Sequence, residues 1–522
     1  MKSILINFVI ILIFFFIPSN NNAQTTPNQK SAIEHIKQNL EYIASDNAEG
    51  RRIGTRGETV ASNYIAGKLD EYGVAPFGDE GTFFQRFRIK VNQYQPQSKV
   101  TIFYDNGISE DFRIQDDIYI SGEHIPSEKY NYHKYDLVFA GYGITAPEYN
   151  YDDYKGLDVK GKVVLILSGA PSGDAEKHFS PEDEATLSDR KYKYENAKDH
   201  HASGLLVIPM GGLLHYLPML KKSALSSSEK LFEDEGNNPD DDEFPMVYLY
   251  EESLKHLLSK EEYTYDGILE AVNENQIPAV FNLSSKIMFE CDYTSSVKEA
   301  RNVIGIIEGT DEKLKNEYVV LSAHYDHEGI INGEIYNGAD DDGSGTVAIL
   351  EAARRIAPDR NNKRSVLITF HTGEEEGLFG SQYLTSHSKY IKDVVADINI
   401  DMVGRGSTDS IYSIGSNKLS TELHDLVEKT NDETVKFCFN YEFDSPADPN
   451  RYYYRSDHYN YAKHNIPIVF FYDHMTEDYH KPTDDVDKIN FKKIEKISTL
   501  ITELSHRIAN LDHRLIIDKT DQ

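Results

Sequence analysis

The spacing of apolar and polar positions divides the chain into three stretches of different character. Ser31 to Ile43 places Ile33, Ile36, Leu40 and Ile43 at helical spacing, and Thr59 to Tyr72 repeats the pattern with Ala61, Ile65 and Leu69, so two surface helices are predicted. Glu49-Gly50-Arg51-Arg52-Ile53-Gly54-Thr55-Arg56-Gly57 between them has three glycines and no apolar period, which predicts a loop. From about residue 100 to 280 the chain turns to short β-type runs broken by turn residues, such as Asp136 to Gly143 and Lys160 to Leu167, the pattern of a separate β-rich unit. From Glu317 onward strand-like and helical runs alternate: Tyr318 to Ala323, Gly345 to Ile356, Ser365 to Phe370, Gln382 to His387, Val394 to Ile400, Leu419 to Lys429, Ile466 to Tyr472, and Phe491 to Ile508. Such alternation predicts an α/β fold, a mostly parallel mixed sheet with helices on both faces.

Length changes this picture little: 522 residues exceed what one core serves, in keeping with two units. Asp+Glu 86 against Lys+Arg 54 gives a net charge of -32, which argues against nucleic acid as a partner and otherwise keeps a surface solvated. Leu231 to Phe244 is crowded with Asp and Glu and reads as a solvated loop, a calcium site being the other reading. At the start, Met1-Lys2 precede a run from Ile4 to Ile17 that is apolar except for Asn7, then Pro18, an Asn run and Ala23. The run is short for a bilayer span and has the layout of an export leader cleaved near Ala23, with no membrane span afterwards and a periplasmic or extracellular destination. An uncleaved anchor is the alternative, because Asn21 fits the cleavage pattern poorly. Cys291 and Cys438 are the only cysteines; whether they pair is open, and they cannot build a cysteine-rich zinc cluster.

Candidate chemistry collects at the ends of the strand-like runs. His324, Glu374 with Glu375, Asp401 and, after a longer loop, His480 each follow one, and in open α/β sheets ligands bind outside the carboxyl ends of the strands. Asn337-Gly338-Ala339-Asp340-Asp341-Asp342-Gly343-Ser344-Gly345 adds a glycine-flanked acidic turn that opens a helix, where carboxylates are also favoured for helix-terminus reasons alone. Singly, each residue has an ordinary structural explanation. Asp401 has the least ordinary one, because it ends the largely apolar run Val394 to Ile400, where an unpaired carboxylate is costly to desolvate.

In order, His324-Tyr325-Asp326-His327, the acidic turn, Gly373-Glu374-Glu375-Glu376-Gly377-Leu378-Phe379-Gly380-Ser381, Asn399-Ile400-Asp401-Met402-Val403-Gly404 and Tyr479-His480 resemble the signatures of metallopeptidase family twenty-eight, bacterial zinc aminopeptidases related to glutamate carboxypeptidase. Ser45-Asp46 through Gly57 and Gly81 to Gln85 resemble that family's N-terminal region. The resemblance implies two zinc ions per chain, one held by His324 and Asp401, the other by Glu375 and His480, with Asp341 bridging both. It further implies Asp326 as the residue orienting His324, Glu374 as general base, and Tyr479 as the group that steadies the oxyanion; the choice of Asp341 among three aspartates rests on the resemblance alone. Ala140 to Ile144, Asp153 to Gly156, Asp158 to Leu165 and Asn196 to Leu205 resemble a protease-associated domain.

The implied organisation is a leader at 1–23, a peptidase domain at 24–115 and 286–522, and a protease-associated-like insert at 116–285. The implied function is an exported di-zinc exopeptidase acting on peptides, an aminopeptidase before a carboxypeptidase. A carboxypeptidase needs cations for a terminal carboxylate, for which Arg405, Arg451 and Arg455 are candidates. A glutaminyl cyclase and a non-catalytic receptor-like relative are the other readings. Tyr452, Tyr453 and Tyr454 are candidates for a specificity pocket, and oligomeric state is left open.

Overall fold

Ser31 opens the first helix, Ala32–Ile43, with a reciprocal cap: its side chain accepts from the Glu34 N–H while the Glu34 carboxylate accepts from the Ser31 N–H. Thr55 caps the second, Arg56–Tyr72, and Gly73 ends it in a left-handed turn. In this computed structural model residues 31–519 are described, apart from 96, 115, 121–125, 127, 128, 172–178, 212, 214–226, 233–243, 275, 277, 278, 446, 447 and 449. The leader at 1–23 and most of the acidic stretch therefore lie outside the described residues. Among the described residues no helix is long and apolar enough to cross a membrane.

Four strands, Ser365–His371, Tyr318–His324, Val394–Ile400 and Ile468–Tyr472, lie side by side in that order and in parallel. They form the centre of a ten-stranded sheet whose flanks are antiparallel, Tyr293–Ile307 beside Ser365–His371 and Ser410–Ile414 beside Ile468–Tyr472. Neighbouring residues in these strands point into different cores. Val319, Leu321, Ala323, Val469 and Phe471 face the helices Ala32–Ile43, Gly343–Ile356 and Phe491–Ala509, while Val320, Leu367, Ile468, Phe470 and Tyr472 face the opposite layer with Tyr452, Tyr453 and Tyr461. Burial on both faces explains why these strands read as largely apolar runs rather than alternating ones.

Two differences from the sequence reading follow from tertiary structure. A short helical turn, Asp46–Arg51, leads into the 49–57 segment, whose Glu49, Gly50 and Arg51 have left-handed backbone as a loop requires, and the second helix begins at Arg56, just before its end. Gly50, at φ 65°, cannot be replaced there, since a Cβ would stand 2.4 Å from the Tyr336 carbonyl oxygen. The outer part of the main sheet is made by the long antiparallel strands Phe84–Tyr94 and Tyr293–Ile307, paired from Phe84 with Val303 to Tyr94 with Tyr293. They lead into an eight-stranded sheet running from Lys99 to Glu290, with Lys134–Phe139, Val163–Leu167, Gly204–Ile208 and Met246–Leu249 parallel at its centre. This sheet has apolar clusters of its own on its faces. Cys291 is buried in one of them, Cys438 is exposed on the main sheet, and both are free thiols.

Candidate metal centre

The four central strands deliver the candidate residues to one edge. His324 is the last residue of its strand, Asp401 directly follows Ile400, Glu374 and Glu375 lie in the turn after His371, and His480 lies in the loop after Tyr472. Asp341 comes from the turn before Gly343–Ile356. There His324 Nε2 is 3.4 Å from Asp341 Oδ1 and 3.5 Å from Asp401 Oδ1, while His480 Nε2 is 3.2 Å from Asp341 Oδ2 and 3.0 Å from Glu375 Oε2. The five side chains thus form two sets that share Asp341, one oxygen turned to each histidine.

The three adjacent aspartates have separate tasks. Asp340 Oδ1 accepts from the Gly404 N–H, and Asp342 Oδ1 accepts from the N–H groups of Gly345 and Met402, capping the helix and anchoring the strand end that carries Asp401. Asp341 has no such backbone donor and turns to the imidazoles. Its peptide N–H, with that of Asp340, is instead held by Asp484 Oδ2 at 3.1 and 2.9 Å. Arg405 fixes Asp484 and Asp478 at 2.5 and 3.3 Å.

Burial raises the cost of each charge here, and the charges answer one another. For Asp341, burial works against ionisation, yet the His324 and His480 imidazoles hold it well below the usual carboxylate range. Glu375, opposed by burial and by Asp341, is pulled down to about 2 by His480 and His327. Glu374 goes the other way: burial lifts it well above the ordinary value, Asp401 and Glu375 add to the rise, and His324 opposes it. The Glu374 N–H donates to Asp326 Oδ1 at 3.3 Å, whereas that oxygen lies 3.6 Å from His324 Nδ1, outside hydrogen-bond distance. Tyr479 stacks on the His480 ring with centroids 3.9 Å apart.

His324 Nε2, Asp341 Oδ2, Asp401 Oδ1 and His480 Nε2 are buried with no hydrogen-bond partner, an arrangement that is costly for a chain on its own. Imidazole nitrogens and carboxylate oxygens facing a common space, with carboxylates in excess, suit borderline divalent cations. His324, Asp341 and Asp401 lie close enough together to hold one ion, as do His327, Asp341 and Glu375, and Glu328, Glu375 and His480. The residues fit metal.

Two members of these groups escaped the sequence reading. His327 Nδ1 lies 2.7 Å from Glu375 Oε1, and Glu328 Oε1 lies 2.9 Å from His480 Nδ1. Their only signal was closeness to His324. Tyr452 and Tyr453, expected beside a pocket, are instead buried in the aromatic layer beneath the sheet, and Tyr454 is half-buried.

Below the centre, Asp397 is fully buried, accepts from Ser322 Oγ at 2.7 Å, and is raised to about 8 by burial. An unfolded Asp titrates near 4, so between about pH 4 and pH 8 the folded chain keeps a proton that the unfolded chain has lost. The stability this group contributes is therefore present below pH 4 and is lost as pH rises towards 8. Asp397→Asn, which mimics the protonated acid, is expected to gain stability relative to the wild type across that interval. Denaturant midpoints at pH 5, 6.5 and 8 check this, and a constant difference refutes it.

Residues 302–505 match the sequence profile of peptidase family M28. A probable leucine aminopeptidase of Arthroderma otae is 32% identical over 222 residues, covering 40% of this chain and 57% of the relative, and one of Trichophyton verrucosum is 30% identical with the same coverage. The chain thus spans a little over half the length of these curated relatives. Among solved structures, the aminopeptidase from Aneurinibacillus sp. strain AM-1 aligns with 94% of this chain and 96% of its own at a TM-score of 0.58 and 18% identity. BSAP, a zinc aminopeptidase from Bacillus subtilis, aligns with 94% of this chain and 98% of its own at 0.52 and 18%. These two share the fold from end to end, second sheet included in the aligned span. The profile match falls on the strands and loops that assemble the centre, and it is through residues 302–505 that the chain is similar to peptidase family M28.

Proposed function

We propose that this chain is an aminopeptidase that holds two zinc ions and removes single residues from the amino ends of peptides. The observation that carries the reading is Asp341, set between His324 with Asp401 on one side and His480 with Glu375 on the other. In this reading His324 and Asp401 hold one ion, Glu375 and His480 the other, and Asp341 both. Bound zinc supplies Lewis acidity, which polarises the scissile carbonyl and makes water a better nucleophile.

The chain's own groups do the rest. Glu374 accepts the attacking water's proton on its carboxylate and delivers it to the leaving amine. Its burial beside Asp401 and Glu375 favours holding that proton between the two transfers. Tyr479, fixed by stacking on His480, offers its O–H to the developing oxyanion, and Asp326 steadies the loop that bears Glu374.

Two of the three candidate cations for a carboxypeptidase are held by carboxylates, and the third, Arg455, reaches Tyr479 with its charge and packs on an aromatic ring. Arg405 is held by Asp478 and Asp484, Arg451 pairs with Asp189 and lies over Tyr454, and Arg455 lies over Tyr452. This weighs against a terminal-carboxylate clamp, and the complete ligand set weighs against a metal-free receptor. We read the second sheet as a protease-associated domain bordering the cleft, supported by the Arg451–Asp189 pair at 3.7 Å, and the leader as directing export.

A panel of dipeptides blocked at one end tests the reading. Dipeptide amides are expected to be cleaved and N-acetyl dipeptides left intact, with a strong chelator abolishing cleavage and zinc restoring it. The reverse preference makes it a carboxypeptidase, and hydrolysis that survives metal removal overturns the proposal.

A further inference from the structure

His480 is held in an unusual way. Its backbone is left-handed at φ 50°, a conformation that a non-glycine residue keeps only when its surroundings enforce it. Its Nε2 faces Asp341 and Glu375, and its Nδ1 lies 2.9 Å from Glu328 Oε1. An imidazole that donates its Nδ1 proton to a carboxylate is fixed in rotation and tautomer, with the Nε2 lone pair directed at whatever lies in front of it.

Glu328 is in turn held from behind. It is 6% exposed, and Arg52 approaches it with Nη1 3.9 Å from Oε2 and 3.5 Å from the Glu328 carbonyl oxygen. Arg52, itself buried, pairs with Glu376 at 2.6 Å and with Glu229 at 2.9 Å. Glu229 belongs to Ser227–Leu231, the outermost strand of the main sheet, which the chain forms on an excursion between two strands of the second sheet, Gly204–Ile208 and Met246–Leu249. A continuous run of buried contacts thus leads from that strand through Glu229, Arg52 and Glu328 to the imidazole of His480.

We propose that Glu328 is the positioning residue for His480, and that Arg52 and Glu229 hold it in place, so that the Ser227–Leu231 strand sets the affinity of the cation site on the His480 side. The inference rests on the two-metal reading above. It differs from a plain structural ion pair in being selective. The His324 side does not share Glu328: His324 Nδ1 faces Asp326 instead, at 3.6 Å.

The test uses the full chain, loaded with zinc and then titrated with a chelator of known affinity, with zinc per chain read by atomic emission. Glu328→Ala is expected to weaken one of the two zinc sites about 10- to 100-fold and leave the other unchanged. Glu328→Gln, whose amide oxygen can still accept the Nδ1 proton, should restore much of that loss, and Glu229→Gln should weaken the same site by a smaller factor. Ring nitrogen NMR of the zinc-loaded wild type, assigned with His480→Gln, gives a second measurement that needs no folded Glu328→Ala: Nδ1 should carry the proton and Nε2 the metal. Two unchanged affinities in a folded Glu328→Ala, equal weakening of both sites, or a proton on Nε2 overturns the inference while leaving the two-metal reading intact. A wild type that binds no zinc overturns both.

Discussion

Glu374→Gln is expected to lower turnover by roughly 10²- to 10⁴-fold, the usual worth of a positioned general acid–base group, with the metal content that the two-zinc proposal requires unchanged. Glutamine fills the same space but can neither take a proton from water nor return one to an amine. No loss of fold is expected, because the substitution removes a buried charge that burial, Asp401 and Glu375 all disfavour. The decisive measurement is kcat on a dipeptide amide at matched zinc content. Near-normal turnover at full loading removes Glu374 as the base and leaves the metal assignment standing, whereas loss of zinc makes it a ligand instead.

Arg51→Met is expected to have the largest effect on stability. The Arg51 side chain is fully buried, and its guanidinium donates to the carbonyl oxygens of Tyr325 at 2.6 Å, Ile43 at 2.9 Å, Asn337 at 2.6 Å and Gly338 at 3.0 Å. These acceptors belong to the first helix, to the loop after His324, and to the turn that leads to Asp341. Methionine fills much of the volume but leaves the buried carbonyls of Tyr325, Ile43 and Asn337 bare, at about 1–3 kcal/mol each, while Gly338 keeps the Gly343 N–H. A loss of about 4 kcal/mol or more is expected in denaturant unfolding of the metal-free chain, accompanied by weaker zinc binding. Arg51→Lys should not rescue it, because one ammonium cannot reproduce the fork that spans three segments. A change below about 1 kcal/mol would falsify the clamp.

How far the sequence leads depends on how local each feature is. The parallel strands were legible because both of their faces are buried, so Tyr318–His324 and Val394–Ile400 appear as largely apolar runs, broken only by Ser322, Asp397 and Asn399. Phe84–Tyr94 and Tyr293–Ile307 were not, although Phe87, Ile89 and Val91 alternate with Arg86, Arg88 and Lys90. The partner strand begins with the exposed run Thr294 to Glu299, which carries no apolar period, and only the fold brings the two together. Within the site, placement at strand ends pointed to His324, Glu375, Asp401 and His480, and to the acidic turn as a whole. What could not be read was which of three adjacent aspartates turns inward, since backbone donors from Gly404, Gly345 and Met402 decide that. Glu328 escaped for the same reason: its partner, His480, is distant in the chain.

Asp484 joins its two carboxylate hydrogen bonds to backbone that the chain laid down 144 and 143 residues earlier. A nascent or C-terminally truncated polypeptide lacking that residue has the acidic turn but nothing to hold its amides in register, and His480 is missing with it. Metal capture should accordingly come late in biosynthesis, as a seal on the finished domain rather than a nucleus for it.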